Sequence, residues 1–245
     1  MSDDWDGTGT GATGMQGHVV LVTGGTGALG ATVALGALGA GATAVVTYRD
    51  ARDRDALAAR VPDAHRQRLH AVQADVTDAQ SVRRLFDEVT TRHRRVDALV
   101  NAVGGFAGGD LSATDERTWD AMLTLNLRSV YLCCRAVLPA MLAARRGRII
   151  NVGSRSAVPP SGGFIAYTVA KNGVVALTQA LAQEVRGAGV TVNVVLPSTM
   201  DTEANRRAMP TADRSGWVAP ESVARAILFL ASDAAADVTG TLLAV

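Results

Sequence analysis

Short apolar runs alternate with longer helix-length stretches from residue 18 onward, and that alternation limits the fold more than any other feature. Segments 18–23 (HVVLVT), 43–48 (TAVVTY), 70–74, 97–101 (DALVN), 148–152 (RIINV), 190–196 (VTVNVVL) and 241–245 are almost continuously apolar. Strands covered on both faces of a parallel sheet read this way. Helices are expected over 27–40, 53–61, 78–93, 115–145, 166–187 and 220–232. Asp78, Thr114 and Pro220 mark helix starts, and Gly41, Gly147 and Gly187 mark stops. Strand–helix alternation with right-handed crossovers gives an α/β fold, a doubly wound sheet of about seven parallel strands with helices on both faces. Ligands of such sheets bind beyond the carboxyl ends of the strands.

Composition narrows the choice of partners. The chain has 245 residues and is 48% hydrophobic, enough for one large core and a single domain over 17–245. Residues 1–16 are rich in Gly and Thr and lack the charged start and apolar core of a signal peptide; they read as a flexible tail. With 24 Lys+Arg against 23 Asp+Glu the net charge is +1, so no broad attraction to nucleic acid or anionic membrane is expected. Arg92, Arg94 and Arg95 read as a solvated helix end. No apolar stretch reaches the roughly 20 residues of a membrane span. His18, His65, His70 and His93 are scattered without metal-ligand spacing, so no metal is expected. Cys133 and Cys134 are adjacent and point about 100° apart on a helix. They read as buried thiols of a reducing, cytoplasmic setting.

Strand 18–23 runs directly into Thr23-Gly24-Gly25-Thr26-Gly27-Ala28-Leu29-Gly30, followed by a helix. Glycines let the backbone turn tightly and approach a pyrophosphate, while the helix start aims free N–H groups at it. A strand–glycine turn–helix is the signature of a Rossmann-type dinucleotide site, with Gly24, Thr26, Gly27, Ala28, Leu29 and Gly30 as contacts. An acid at the end of the second strand would select NAD. Tyr48 and Arg49 stand there instead, and a guanidinium suits a ribose 2′-phosphate. NADP(H) is therefore favoured over NAD(H), with Asp50 next door as the competing feature.

Tyr167 and Lys171 are one helical turn apart and share a face. A free phenol has a pKa near 10, and a neighbouring ammonium is expected to lower it. Such a tyrosine can give a proton to a developing alkoxide or take one from an alcohol. Ser154 would hydrogen-bond the substrate oxygen. Asn126 completes a four-part catalytic set, Asn126, Ser154, Tyr167 and Lys171.

These pieces occur in the order found in the short-chain dehydrogenase/reductases, which the chain resembles over essentially 17–245. The match includes the glycine turn, Asp75-Val76 after the third strand, Asn101-Ala102-Val103-Gly104 after the fourth, and Asn126. It also includes Ser154 and Tyr167 spaced 13 apart, Lys171, and Pro197 followed by Thr199 and Thr202. The resemblance implies that Asp75 bonds the adenine amino group, and that Asn101 and Gly104 line the adenosine ribose side. It implies that Thr202 touches the nicotinamide amide or pyrophosphate, Lys171 the nicotinamide ribose, and that Asn126 holds a water between Lys171 and solvent. Ala28, Ala102 and Ser198 stand where Gly, Asn and Gly are usual. The usual short tail after the last strand is absent, which would leave the pocket more open or completed by a partner subunit. Val103–Gly109 and Leu196–Pro210 are also similar to stretches of dihydropteridine reductases, although those generally lack the Ser and Asn and use an acid for NADH.

The expected activity is NADPH-dependent hydride transfer to or from a carbonyl or alcohol carbon of a small molecule. Pterin or imine reduction and non-catalytic dinucleotide sensing are the alternatives. Segment 198–217 interrupts the alternation and reads as a lid. Gly105–Asp110, Arg155–Ile165 and the lid are expected to line the substrate pocket, with Phe106, Val158, Phe164, Met200 and Trp217 apolar. Arg155, Arg206 and Arg207 either meet a substrate anion or are solvated, the latter being favoured. The family pairs its long helices into dimers and tetramers, and Tyr131, Leu132, Val174, Leu177 and Leu181 are the apolar residues expected to serve here.

Overall fold

The computed structural model describes residues 14–245. Strands β1 (Val19–Thr23), β2 (Thr43–Tyr48), β3 (Leu69–Gln73), β4 (Ala98–Asn101), β5 (Gly147–Val152), β6 (Val190–Leu196) and β7 (Leu242–Ala244) form one parallel sheet in the order β3-β2-β1-β4-β5-β6-β7. The order reverses between β1 and β4, which opens a crevice at their carboxyl ends.

Strand parity divides the core into two layers. Val19, Leu21, Leu99, Ile149, Val192 and Val194 face helices α3 (Ala79–His93), α5 (Ser129–Ala144) and α6 (Ile165–Glu184). Val20, Val22, Val100, Ile150 and Val195 face α1 (Ala28–Gly39), α2 (Ala51–Arg60) and α8 (Pro220–Ala231). Both faces of the central strands are thus dry, and this is why those strands lack the alternation of a half-solvated sheet.

Helix punctuation largely follows local chemistry. Asp78 caps α3 by accepting from the Ser81 N–H at 2.7 Å, and Pro220 opens α8. Gly41 and Gly187 have φ of +93° and +76°, as helix-ending glycines should. The expected helix 115–145 is divided. Asp115, not Thr114, caps α4 (Glu116–Leu123), and a wider π-type turn over Thr124–Arg128 joins it to α5. That turn carries Asn126. By length and composition alone the run Glu116–Ala144 would cross a membrane, contrary to the sequence expectation. Here Val130, Cys133, Cys134, Val137 and Met141 pack it onto the sheet.

Two further elements are absent from the sequence pattern. Residues 63–68 form 3-10 turns, and α7 (Glu203–Ala208) lies inside the lid segment. Residues 1–13 of the expected tail lie outside the described residues. Met15, which that tail was to include, is fully buried, and its N–H donates to Ala40 O at 2.9 Å. Packing therefore begins before residue 17.

Candidate active site

The glycine turn places a helix start where an anion is needed. Gly24 has φ +65° and a Cβ there would meet Val103 Cγ2 at 3.0 Å, so only glycine turns the chain against the β4 loop. Gly27 is the N-cap of α1. No side chain caps that helix and its first turn holds no acid. The leading N–H groups are left for a ligand, which suits a pyrophosphate. Ala28 sits at the first helical position, so its methyl replaces glycine without a backbone penalty.

The crevice has two lobes. One, of about 600 Å³, is lined by Gly24, Thr26, Gly27, Tyr48, Arg49, Asp75, Val76, Ala102, Val103 and Gly104. The other, of about 430 Å³, is lined by Gly24, Gly27, Ala28, Leu29, Gly30, Gly104, Phe106, Asn126, Ser154, Tyr167, Lys171, Pro197 and Thr202. Gly24, Gly27, Ala102 and Gly104 belong to both, so one elongated ligand can occupy the pair. Thr47, Asp53, Thr77, Ala204 and Arg207 also line the first lobe. No sequence signal beyond proximity to Arg49 and Asp75 pointed to the first three, and the lid residues needed the fold.

Two expected contacts lie elsewhere. Asn101 shares the parity of Leu99 and points to the α5 side. Its amide donates to Asn151 Oδ1 at 2.9 Å, and Asn151 donates to Thr178 Oγ1 at 2.9 Å, a buried polar chain that ties β4 and β5 to α6. Thr199 is exposed and its carbonyl accepts from Val218 N; Ser198 and Met200 line the crevice instead. Among the pocket expectations, Phe106, Met200 and Arg207 line the lobes, whereas Val158, Phe164, Trp217, Arg155 and Arg206 lie outside the lining of both. Arg214 stacks over the Trp217 ring at 5.6 Å.

The four-part set converges. Asn126 is fully buried, accepting from Gly105 N at 3.1 Å and donating to Gly105 O at 3.0 Å and Met122 O at 3.1 Å. Its side chain thereby clamps the loop after β4. Lys171 is buried and donates to Val152 O at 2.8 Å. Burial lowers its pKa to about 8. Its Nζ lies 5.9 Å from the Tyr167 ring centre. The expected lowering of Tyr167 by this cation is not met. Burial raises the phenol, and the hydrogen bond with Ser154 only partly opposes that. Ser154 and Ser156 hydroxyls lie 2.8 Å apart, but only Ser154 lines the crevice. At the other lobe, hydrogen bonds from the Thr77 hydroxyl and N–H hold Asp75 below its ordinary value, with Arg49 adding to the effect.

Gly104 is the tightest point. A Cβ there would stand 2.9 Å from Asn126 Oδ1 and 3.3 Å from Lys171 Nζ. Gly104→Ala is expected to lower turnover about tenfold or more by displacing the clamp and the lysine together, because small misplacements of reacting groups are costly. Steady-state kinetics beside a thermal melt that stays near wild type would check this.

A doubly wound sheet, an uncapped helix start at its switch point, and a Tyr–Lys–Ser set at the far lobe define a nicotinamide-dinucleotide oxidoreductase. The sequence comparisons agree. Residues 18–213 match the family model described as short chain dehydrogenase. The chain is 34% identical over 238 residues to D-threitol dehydrogenase of Mycolicibacterium smegmatis, covering 92% of this chain and 90% of that one. It is 32% identical to the 3-oxoacyl-[acyl-carrier-protein] reductase FabG of Haemophilus influenzae, covering 94% and 96%. A solved short-chain dehydrogenase/reductase from Burkholderia xenovorans superposes with a TM-score of 0.84 at 34% identity, over 96% of each chain. The chain belongs to the short-chain dehydrogenase/reductase family. It is thus an NAD(P)-dependent oxidoreductase acting on CH–OH and C=O groups.

Proposed function

We propose that the chain is an NADP(H)-dependent carbonyl reductase with Tyr167 as its general acid. The observation that carries this reading is the continuity of the two lobes, which sets Tyr167, Ser154 and Lys171 at one end and Arg49 at the other. When bound, the nicotinamide supplies the hydride. Ser154 donates a hydrogen bond to the substrate oxygen, and Tyr167 gives that oxygen a proton as it becomes an alkoxide. A phenol raised by burial keeps its proton at neutral pH, which favours the reductive direction. Lys171, with a pKa of about 8, exchanges its proton near neutrality and replenishes the phenol. Asn126 holds the Gly104–Gly105 backbone so that these groups stay in register.

Arg49 supports the choice of NADP(H). It is exposed at the rim of the first lobe. Asp50 does not compete, because its carboxylate caps α2 through Arg52 N at 2.9 Å and pairs with the Arg52 guanidinium. NADPH is expected to bind about tenfold tighter than NADH or better, and Arg49→Ala is expected to abolish that margin. Fluorescence titration checks affinity, and loss of absorbance at 340 nm with a panel of ketones, quinones and pterins checks turnover. Equal or tighter NADH binding would overturn the cofactor assignment. NADPH binding with no oxidation by any substrate would make the protein a dinucleotide sensor.

The outer faces of α5 and α6 support a homo-oligomer. Leu132, Val174 and Leu181, expected there, are core residues. Tyr131, also expected there, is exposed at 44% and Leu177 is half-buried, while Leu142 and Val169 add exposed apolar surface at 39% each. Light scattering is expected to give two or four times 25.3 kDa; a single 25.3 kDa species would refute the pairing. Free, buried Cys133 and Cys134, the latter pushed up to about 12 by burial, fit a reducing cytoplasmic setting.

A further inference from the structure

Three aromatic rings crowd the reacting end of the crevice. Phe106 lies 5.1 Å from the Tyr167 ring, edge to face, and 5.6 Å from the Phe164 ring; Phe164 lies 6.2 Å from Tyr167. The arrangement is fixed by backbone. Gly109 N donates to Gly163 O at 2.9 Å and Ile165 N donates to Gly109 O at 3.0 Å, which zips the loop after β4 to the start of α6. Phe106 nevertheless remains 65% exposed while lining the catalytic lobe. A rigidly presented aromatic face beside the proton donor is an apolar wall without its partner.

Charge is missing where a charged substrate would need it. Among the described residues Lys171 is the only ionisable cation lining the catalytic lobe, and it is buried with one of its N–H groups donating to Val152 O. Arg206 forms a two-point ion pair with Asp201 at 2.5 and 2.7 Å. Arg207 pairs with Glu203 at 2.9 Å and belongs to the other lobe. Arg155 is outside the lining. Among the described residues no further cation lines this lobe to receive a keto acid's carboxylate or a carrier's phosphate.

We infer that the preferred substrate is a neutral ketone bearing an aryl ring next to its carbonyl, with that ring seated against Phe106, which Phe164 backs from outside the lobe. This rests on the reductase reading above. In the step, hydride passes from the reduced dinucleotide to the carbonyl carbon and the proton of Tyr167 to the oxygen. The C=O π bond breaks, C–H and O–H bonds form, and the dinucleotide is left oxidised.

The test uses the full chain with NADPH and four carbonyl compounds: acetophenone, its ring-saturated counterpart cyclohexyl methyl ketone, acetoacetate, and acetoacetyl pantetheine thioester. Acetophenone is expected to exceed the cyclohexyl ketone in kcat/KM by about tenfold and acetoacetate by about a hundredfold. Phe106→Leu is expected to cut the aryl-to-cyclohexyl ratio by about tenfold, mainly through KM. Preference for the saturated ketone, the acid or the thioester would overturn the inference, as would a ratio unmoved by Phe106→Leu. If no compound is turned over although NADPH binds, the reductase reading itself fails. Saturation-transfer NMR on the NADPH complex then still reads the aryl seat. Transfer to the acetophenone ring that is lost in Phe106→Leu supports it, and absence of transfer overturns it.

Discussion

Tyr167→Phe is expected to reduce turnover at least a hundredfold while NADPH binding changes less than about twofold. Phenylalanine keeps the ring that Phe106 and Phe164 pack against, so the pocket should keep its shape. What disappears is the hydroxyl, and with it the proton that the substrate oxygen must receive. General acid catalysis of this kind is worth about 10²–10⁴-fold. The pH dependence is a second reading. Burial holds the phenol above its ordinary value, so reduction should persist through neutrality and fall only in the alkaline range. Alcohol oxidation needs the phenolate and should climb over that same alkaline range. Both dependences should vanish from the residual rate of the variant. A residual rate above about a tenth of wild type, or a wild-type oxidation rate that is flat with pH, would remove Tyr167 from the proton path.

The convergence behind this prediction was legible in the sequence for a physical reason. Strands buried on both faces must be continuously apolar, so β1, β4, β5 and β6 were visible, and the crossover rule placed their carboxyl ends together. The residues that follow those ends, from Gly24 to Lys171, therefore had to meet. The errors have causes of equal simplicity. The resemblance implies a crevice position for Asn101, yet counting parity from Leu99 puts it on the opposite face, where it bonds Asn151. Thr199 fails by the same count, with Ser198 and Met200 on the crevice side. The π-type turn at Asn126 carries no composition cue, since one extra residue per turn leaves the apolar pattern nearly intact. Helix α7 buries none of its six residues, so no periodicity marks it; only its Thr202 cap was readable. Spacing places a cation near Tyr167, whereas the burial that raises the phenol is a property of the fold and leaves no mark in the spacing.

Lys171→Met should make the protein more stable and at the same time nearly inactive. Lys171 is only 4% exposed and, among the described residues, has no carboxylate partner and one hydrogen-bond acceptor, Val152 O. Its pKa falls from 10.5 to about 8 through burial. A depression of that size corresponds to a penalty on the order of 3 kcal/mol for the folded, charged form. The unfolded lysine binds its proton more tightly than the folded one between about pH 8 and 10.5. Stability therefore rises with pH across that window, and the penalty is fully present below about pH 8. Methionine has similar reach, removes the charge, and leaves Val152 O without its donor, a loss of about 1 kcal/mol. The net gain near pH 6.5 is about 2 kcal/mol, or roughly 4–8 °C in Tm for a chain of this length. At pH 10 the wild-type lysine is neutral when folded, so the two proteins should melt together. Turnover should drop at least a hundredfold at either pH, because the cation that replenishes Tyr167 is gone. Melting curves at the two pH values separate this account from a merely structural lysine. A variant that melts lower than wild type at pH 6.5, or whose Tm difference does not change with pH, would show that the ammonium is not carried at a cost for catalysis.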